Sequence, residues 1–334
     1  MYIMATWWKP WTWGEAVGDA VDALQGVINR MLVSGTQFSL DRMTGMFNGS
    51  INALHKEVAI SPTTFSQDLV DTLQNLSTTV LLPIAGLIIT YVFVLQIIEH
   101  VTDHNKGNEW NVGSVIMLII KTAITISLAT NAFTIGLAFS DVATWMIKEV
   151  PKEEVQLTHE ITDEIIEQLQ PEVVTQNADG TLEPTGTDEP VGEDEFWDYK
   201  LGEAFITMLV GFIGLIITMV ISGIIYLVAW SRIIMILLYI TVAPIPMATL
   251  MSESWVNSIG QNYLKNLLAL TLQGFFMLVL LVIYQGLVTR TAVLMNTPQG
   301  TGFSGMVLLI VSMGIIASML LKTHGFAKSI TGAS

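Results

Sequence analysis

The chain has 334 residues, 51% apolar and only 13% charged, against roughly 25% charged in soluble globular domains, which excludes an ordinary water-covered surface. Its net charge of −15 is local: residues 149–203 hold 17 acids against Lys152 and Lys200, and the remainder is neutral, so no basic nucleic-acid face is present. There is no cysteine, which excludes disulfides, thiolate metal sites and thiol catalysis.

Residues 1–77 read as an amphipathic N-terminal region. Trp7, Trp8, Trp11 and Trp13 surround Lys9 and Pro10, an aromatic cluster of the kind found at headgroup level. From Ala16, the residues Val17, Val21, Leu24, Ile28, Met31 and Leu32 recur at helical spacing. Such a helix fits two positions, docked on its own bundle or lying at a membrane surface or partner. Ser61-Pro62-Thr63-Thr64 is a helix-start signal. No basic n-region precedes a short apolar h-region, so insertion is expected to use an internal span.

A first membrane section is expected over 78–148, with two or three spans. Its first span runs from about Thr78 to Ile98, with Pro83 in the opening turns where a missing hydrogen bond costs least. After the polar turn His100–Asn111, residues 112–147 stay apolar for a length that is long for one upright span and short for two. A tilted, broken or protruding helix fits this better than a tight hairpin. Were it continuous, Ser127, Asn131, Thr134 and Asp141 would share one face.

Residues 149–203 form an acidic extramembrane loop. Val150–Val174 can make an acidic amphipathic helix, and Asn177–Glu195 has the turn formers and low hydrophobicity of a loosely held segment. A second membrane section over 204–321, with three or four spans, holds apolar runs near 204–229, 233–251, 264–288 and 303–321; a tail, 322–334, follows. Gly214, Thr218 and Ser222 lie four apart, a spacing that lets spans approach closely, and they predict a homo-oligomeric contact. The fold class is therefore an all-α polytopic membrane protein of about five to seven transmembrane helices, with one acidic soluble loop.

No catalytic, cofactor or metal site is expected. The five histidines are scattered, and only His100 and His104 share i,i+4 spacing; no phosphate loop or nucleophile elbow is present. The polar residues inside apolar runs are the ones to weigh. Lys121 fits either partial snorkelling or a subunit contact. Arg232, beside Trp230 and Ser231, fits an interface between two spans; the sharper alternative lines a conduit or pairs with Asp141 or Glu253. Gln273 needs a hydrogen-bond partner from a neighbouring helix. With Asn131 and Asp141, these three make up a conduit or subunit-contact set.

The stretch 224–288 carries Arg232, a Pro244-x-Pro246 break and a polar hinge of Glu253, Trp255, Gly260, Gln261, Asn262, Tyr263 and Lys265. With Asn75–His100, Lys121-Thr122 and Lys322–Ile330, it resembles the TrbL-like conjugal-transfer family, polytopic channel subunits of type IV secretion systems in Gram-positive mobile elements. The first seventy residues and 149–203 match least. The resemblance implies a multi-pass plasma-membrane channel or scaffold subunit and a homo-oligomer. Its partners would be the lipid bilayer, other secretion subunits and their ATPases, with single-stranded DNA and relaxase passing transiently. It carries Pro244, Pro246, Glu253, Trp255, Gln261, Asn262, Tyr263 and Lys265 as one block, read as a docking hinge. It also implies that the acidic loop is extracytoplasmic, whereas keeping Lys265, Lys322 and Lys328 inside with every run crossing would put that loop inside too. A broken or re-entrant 233–251 reconciles the two, and the side of the C-terminus stays open. The alternatives are a stand-alone transporter or small-solute channel, and a non-conducting membrane scaffold.

Overall fold

A computed structural model describes residues 12–105, 112–150, 159–170, 172–176, 182–186, 195–198, 201–252, 257–295 and 302–333. The helices are α1 (Thr12–Val58), α2 (Pro62–Phe65), α3 (Gln67–Leu76), α4 (Leu82–Asn105), α5 (Val112–Thr130), α6 (Ala132–Lys148), α7 (His159–Glu167), α8 (Leu201–Val242), α9 (Pro244–Ala248), α10 (Asn257–Met295) and α11 (Gly302–Thr331). Three short strands, β1 (Glu172–Gln176), β2 (Leu182–Gly186) and β3 (Glu195–Asp198), form an antiparallel sheet in the order β2-β1-β3. Among the described residues, four helices are long and apolar enough to cross a membrane: Gln67–Glu99, Leu201–Val242, Asn257–Thr291 and Phe303–Thr331. The bent pair Val115–Thr130 and Ala132–Lys148 makes a possible fifth. The fold is an all-α polytopic membrane architecture, and its four or five candidate spans lie below or at the lower edge of the expected five to seven. Large apolar side chains such as Leu87, Ile216 and Ile283 stay exposed on the spans, in a number suited to lipid rather than water.

Local sequence chemistry explains most element boundaries. Ser61 starts a helix as expected, through a capping box in which its hydroxyl accepts from the Thr64 amide, but the helix it starts is a single turn. A second cap, Ser66, opens α3 by accepting from the Leu69 amide at 3.3 Å. The first span helix therefore begins at Gln67, well before Thr78, which places Pro83 in its interior. A π-helical turn, Ser77–Leu81, sits directly upstream, with the Leu82 amide donating to the Ser77 carbonyl. The wider turn gives room for a proline ring that would otherwise meet the carbonyl four residues back. The apolar run 112–147 breaks at Asn131 with a bend of 66°, so the expected shared face of Ser127, Asn131, Thr134 and Asp141 does not exist.

Two further expectations change. Runs 204–229 and 233–251 are not separate spans: α8 is one helix of 42 residues, roughly 63 Å at 1.5 Å per residue, and it ends only at Val242. In the acidic segment, the helix expected over 150–174 is described only as His159–Glu167, and Val173–Val174 belong to β1. The stretch read as loosely held, 177–195, contains β2 hydrogen-bonded to β1; residues 177–181 and 187–194 lie outside the described residues.

The chain divides into two compact units that share its long helices. One holds Met1–Ser50, Val155–Gly223 and Tyr284–Ile315; the other holds Ile51–Glu154, Ile224–Ile283 and Ile316–Ser334. In the first unit, Leu40, Met43 and Phe47 of α1 are fully buried, and Phe47 packs on Tyr284 with ring centroids 5.8 Å apart. Thr36, Ser39, Thr44 and Ser50 are buried beside them, each donating to a carbonyl three or four residues earlier in its own helix. This lets a weakly apolar helix serve as a core element. The small-residue stripe of α8 is consumed here: a Cβ at Gly211 would meet Ser39, and one at Gly214 would meet Met43 and Ile310. The Thr218 hydroxyl meets the Met313 sulfur at 3.4 Å, and the Ser222 hydroxyl donates to the Met46 carbonyl at 3.4 Å. The stripe joins helices of one chain and is not free for an oligomeric contact. In the second unit, a single core joins Val70, Ala85 and Ile89 to Phe133, Ile236, Ile240, Met247, Tyr263 and Leu267.

Candidate functional site

The Pro-x-Pro break lies inside the second unit's core. Pro244 has no N–H for the Ile240 carbonyl, so α8 ends there. The Ala243 amide turns back to Ile240 at 3.3 Å, which leaves the Tyr239 carbonyl without its usual helical donor. The Tyr263 hydroxyl fills that place, donating to Tyr239 O at 2.7 Å while the two rings stack with centroids 5.8 Å apart. Pro244, Pro246, Met247 and Ala248 of α9 are all buried, packed among α4, α5 and α6. A 3-10 turn, Thr249–Met251, follows, with the Thr249 hydroxyl donating to Pro246 O at 2.7 Å. Irregular backbone at membrane depth requires this kind of enclosure by protein. Gly260 completes the knot: a Cβ there would fall 2.7 Å from Pro246 O and from a methyl carbon of Leu250.

The block read as a docking hinge therefore divides in two. Pro244, Pro246, Gly260 and Tyr263 are buried and hold the fold. Gln261 and Lys265 are exposed, and Asn262 is half-buried with its carbonyl accepting from Asn266 Nδ2 at 2.8 Å. Residues 257–265 are the opening turns of α10 rather than a polar turn. Glu253 and Trp255 lie outside the described residues.

Arg232 is the buried cation of this unit, only 3% exposed, within continuous α8 and not between two spans. Its Nη1 donates to the Val58 carbonyl at 3.2 Å and its Nη2 to the Thr271 carbonyl at 3.3 Å. The first contact has a direct cause. Val58 ends α1, the residue four further on is Pro62, and the Ala59 and Ile60 amides turn to Lys56 and Glu57. The Val58 carbonyl is an orphan at the negative end of a long helix, where a guanidinium is favoured. Gly274 makes room for it, since a Cβ there would lie 2.6 Å from Arg232 Cζ. Arg232 thus binds backbone carbonyls rather than Asp141, which is exposed on α6. A pocket of about 230 Å³ opens alongside, lined by Ser231, Arg232, Gln273 and His324 with apolar neighbours. Gln273 Nε2 donates to Thr323 Oγ1 of α11 at 3.3 Å, so its partner is within the chain.

Of the five residues read as one conduit or contact set, only Arg232 and Gln273 share this pocket. Lys121 is half-buried on α5, and Asn131 is exposed at the α5–α6 bend with its Nδ2 donating to Ser127 O at 2.9 Å. Val58, Thr271 and Tyr239 carry no sequence signal for these contacts. Gly274, inside an apolar run and next to a glutamine, was the one visible signal.

Residues 47–184 match the family model described as TrbL/VirB6 plasmid conjugal transfer like protein. That segment holds the end of α1, the whole of α2 to α7, and β1 with part of β2. The TrbL/VirB6 match implies a membrane component of conjugal transfer, and the spans agree with it. The matched region reaches into the acidic segment, which the sequence resemblance placed among its weakest parts, and it leaves out 224–288, where that resemblance was drawn. No curated protein and no solved structure matches the chain.

Proposed function

We propose that this chain is a multi-copy channel or scaffold subunit of a conjugative type IV secretion system, set in the plasma membrane of a Gram-positive donor. The single observation carrying this reading is the TrbL/VirB6 match over 47–184, a segment that includes one full candidate span and the bent α5–α6 pair. The chain has no phosphate loop, so energy comes from separate ATPases, and its own work is positional rather than catalytic. The exposed side of the first α10 turns, with Gln261 and Lys265, is the surface offered to those partners. The buried half of the same block, anchored on α4, α5 and α6, keeps that surface in place by attaching it to the matched segment.

The test is affinity isolation of the full-length tagged chain from donor membranes during mating. Co-isolation of the transfer ATPases and other secretion subunits is expected. A chain recovered without them, from cells whose transfer is unchanged when its gene is deleted, contradicts the proposal.

A further inference from the structure

The charge of Arg232 is left uncompensated by the groups its side chain touches. The residue is only 3% exposed, and its two hydrogen bonds end on carbonyls, which are dipoles without net charge. Its Nε has no acceptor among the described residues, and no carboxylate among them acts on the guanidinium. The sequence supplies few candidates: from Ala204 to Ser334 the five bases Arg232, Lys265, Arg290, Lys322 and Lys328 stand against one acid, Glu253, which follows the Pro-x-Pro break. A buried cation without a counter-ion is costly, so an anion from outside the chain would be favoured beside it. The cavity of about 230 Å³ that Arg232 borders offers the place. Its polar lining adds Gln273, whose amide has a second hydrogen beyond the one given to Thr323, and the half-buried His324.

The surroundings of the cavity indicate the kind of anion. Leu227 and Leu321 also line it, 64% and 55% exposed on helices that can cross a membrane, so it opens beside apolar surface suited to acyl chains. Its level matches that of lipid headgroups. Trp230, two residues before Arg232, is exposed and meets Tyr226 edge-on with ring centroids 6.5 Å apart, an aromatic pair of the kind found in interfacial belts. Lys322 is exposed next to Thr323, the partner of Gln273, and a charge on a lipid-facing surface belongs at the interface. Basic pockets between spanning helices bind anionic lipid heads. We propose that this pocket binds the phosphate of an anionic membrane lipid, whose acyl chains run over Leu227 and Leu321.

The test uses the full-length chain purified in an uncharged detergent. Native mass spectra and thermal midpoints are compared with dioctanoyl phosphatidylglycerol, dioctanoyl phosphatidylcholine or inorganic phosphate added. One phosphatidylglycerol adduct per chain and a midpoint raised by several degrees are expected, because a ligand that binds only the folded state stabilises it. Phosphatidylcholine and inorganic phosphate should give neither. Ser231→Trp and Leu321→Trp fill the cavity from two different helices without removing Arg232. Whichever of them keeps the parent's lipid-free midpoint should lose both the adduct and the rise. No response to phosphatidylglycerol, an equal response to phosphatidylcholine, or a rise that persists in a folded cavity-filling variant overturns the site. The same rise with inorganic phosphate overturns the lipid in favour of a pocket for a free anion.

Discussion

Tyr263 repairs the end of α8 by donating its hydroxyl to the carbonyl of Tyr239 at 2.7 Å, twenty-four residues earlier. The bond exists because Pro244 cannot donate and the Ala243 amide turns to Ile240. A buried acceptor stripped of its donor costs about 1–3 kcal/mol. Tyr263→Phe keeps the stacked ring and removes only the hydroxyl, so it should lower the thermal midpoint in detergent by several degrees without preventing insertion. An unchanged midpoint would mean that the carbonyl finds another donor.

The glycines fall into two classes that substitution separates. Gly260→Ala presses a methyl against the Pro246 carbonyl and Leu250, and Gly274→Ala presses one against the Arg232 guanidinium; overpacking of this kind costs roughly 1–3 kcal/mol. Gly314→Ala meets no atom within 4 Å and should be neutral or slightly stabilising, since alanine is the better helix former. Denaturation in detergent of the three variants side by side checks the ranking.

Arg232 joins the end of α1 to α10. Arg232→Leu orphans the Val58 and Thr271 carbonyls and should destabilise by roughly 3–6 kcal/mol, because two bonds from a charged donor are lost at roughly 1.5–3 kcal/mol each. Arg232→Lys, a point donor without the guanidinium fork, should rescue only partly. Asp141→Asn should leave stability unchanged, because the exposed carboxylate is not among the hydrogen-bond acceptors of Arg232. An Asp141→Asn loss comparable to that of Arg232→Leu would restore the ion pair. Proteolysis of detergent-solubilised variants reads all three.

The small-residue stripe gives a prediction of the opposite sense to the sequence expectation. Gly214→Leu should cost folded protein, because the side chain would enter the space of Met43 and Ile310. A variant that folds normally yet loses only its oligomeric state would return the stripe to an intermolecular role. Size-exclusion elution and recovered yield distinguish the two.

Most apolar spans were legible because hydrophobic length is a local property, but the joining of 204–229 to the next run in one helix was not, and the awkward length of 112–147 pointed to an irregular helix without choosing the break. Ser61 was legible as a cap, but Ser66 gives the longer start. Arg232 was misplaced because Trp230-Ser231-Arg232 reads like the border of a span. What allows a charge to stay inside α8 is a carbonyl 174 residues away, and no local pattern shows that. The core face of α1 was hidden for another reason. Thr36, Ser39, Thr44 and Ser50 look polar in sequence, yet each satisfies itself on its own helix and can be buried cheaply. The docking block was visible as a unit, but its division into buried and exposed halves follows from the closeness of Gly260 to Pro246.

The exposed half of that block is where the account is most open to contradiction. Lys265 is solvent- or partner-facing, and its helix is held by the buried half. The decisive measurement is transfer frequency from a donor deleted for this gene and complemented with either the parent chain or Lys265→Glu. The account predicts background transfer from the deletion, restoration by the parent chain, and continued failure with Lys265→Glu despite normal membrane levels. Parental frequency from the uncomplemented deletion would contradict a role in conjugal transfer, and full restoration by Lys265→Glu would contradict docking at the start of α10.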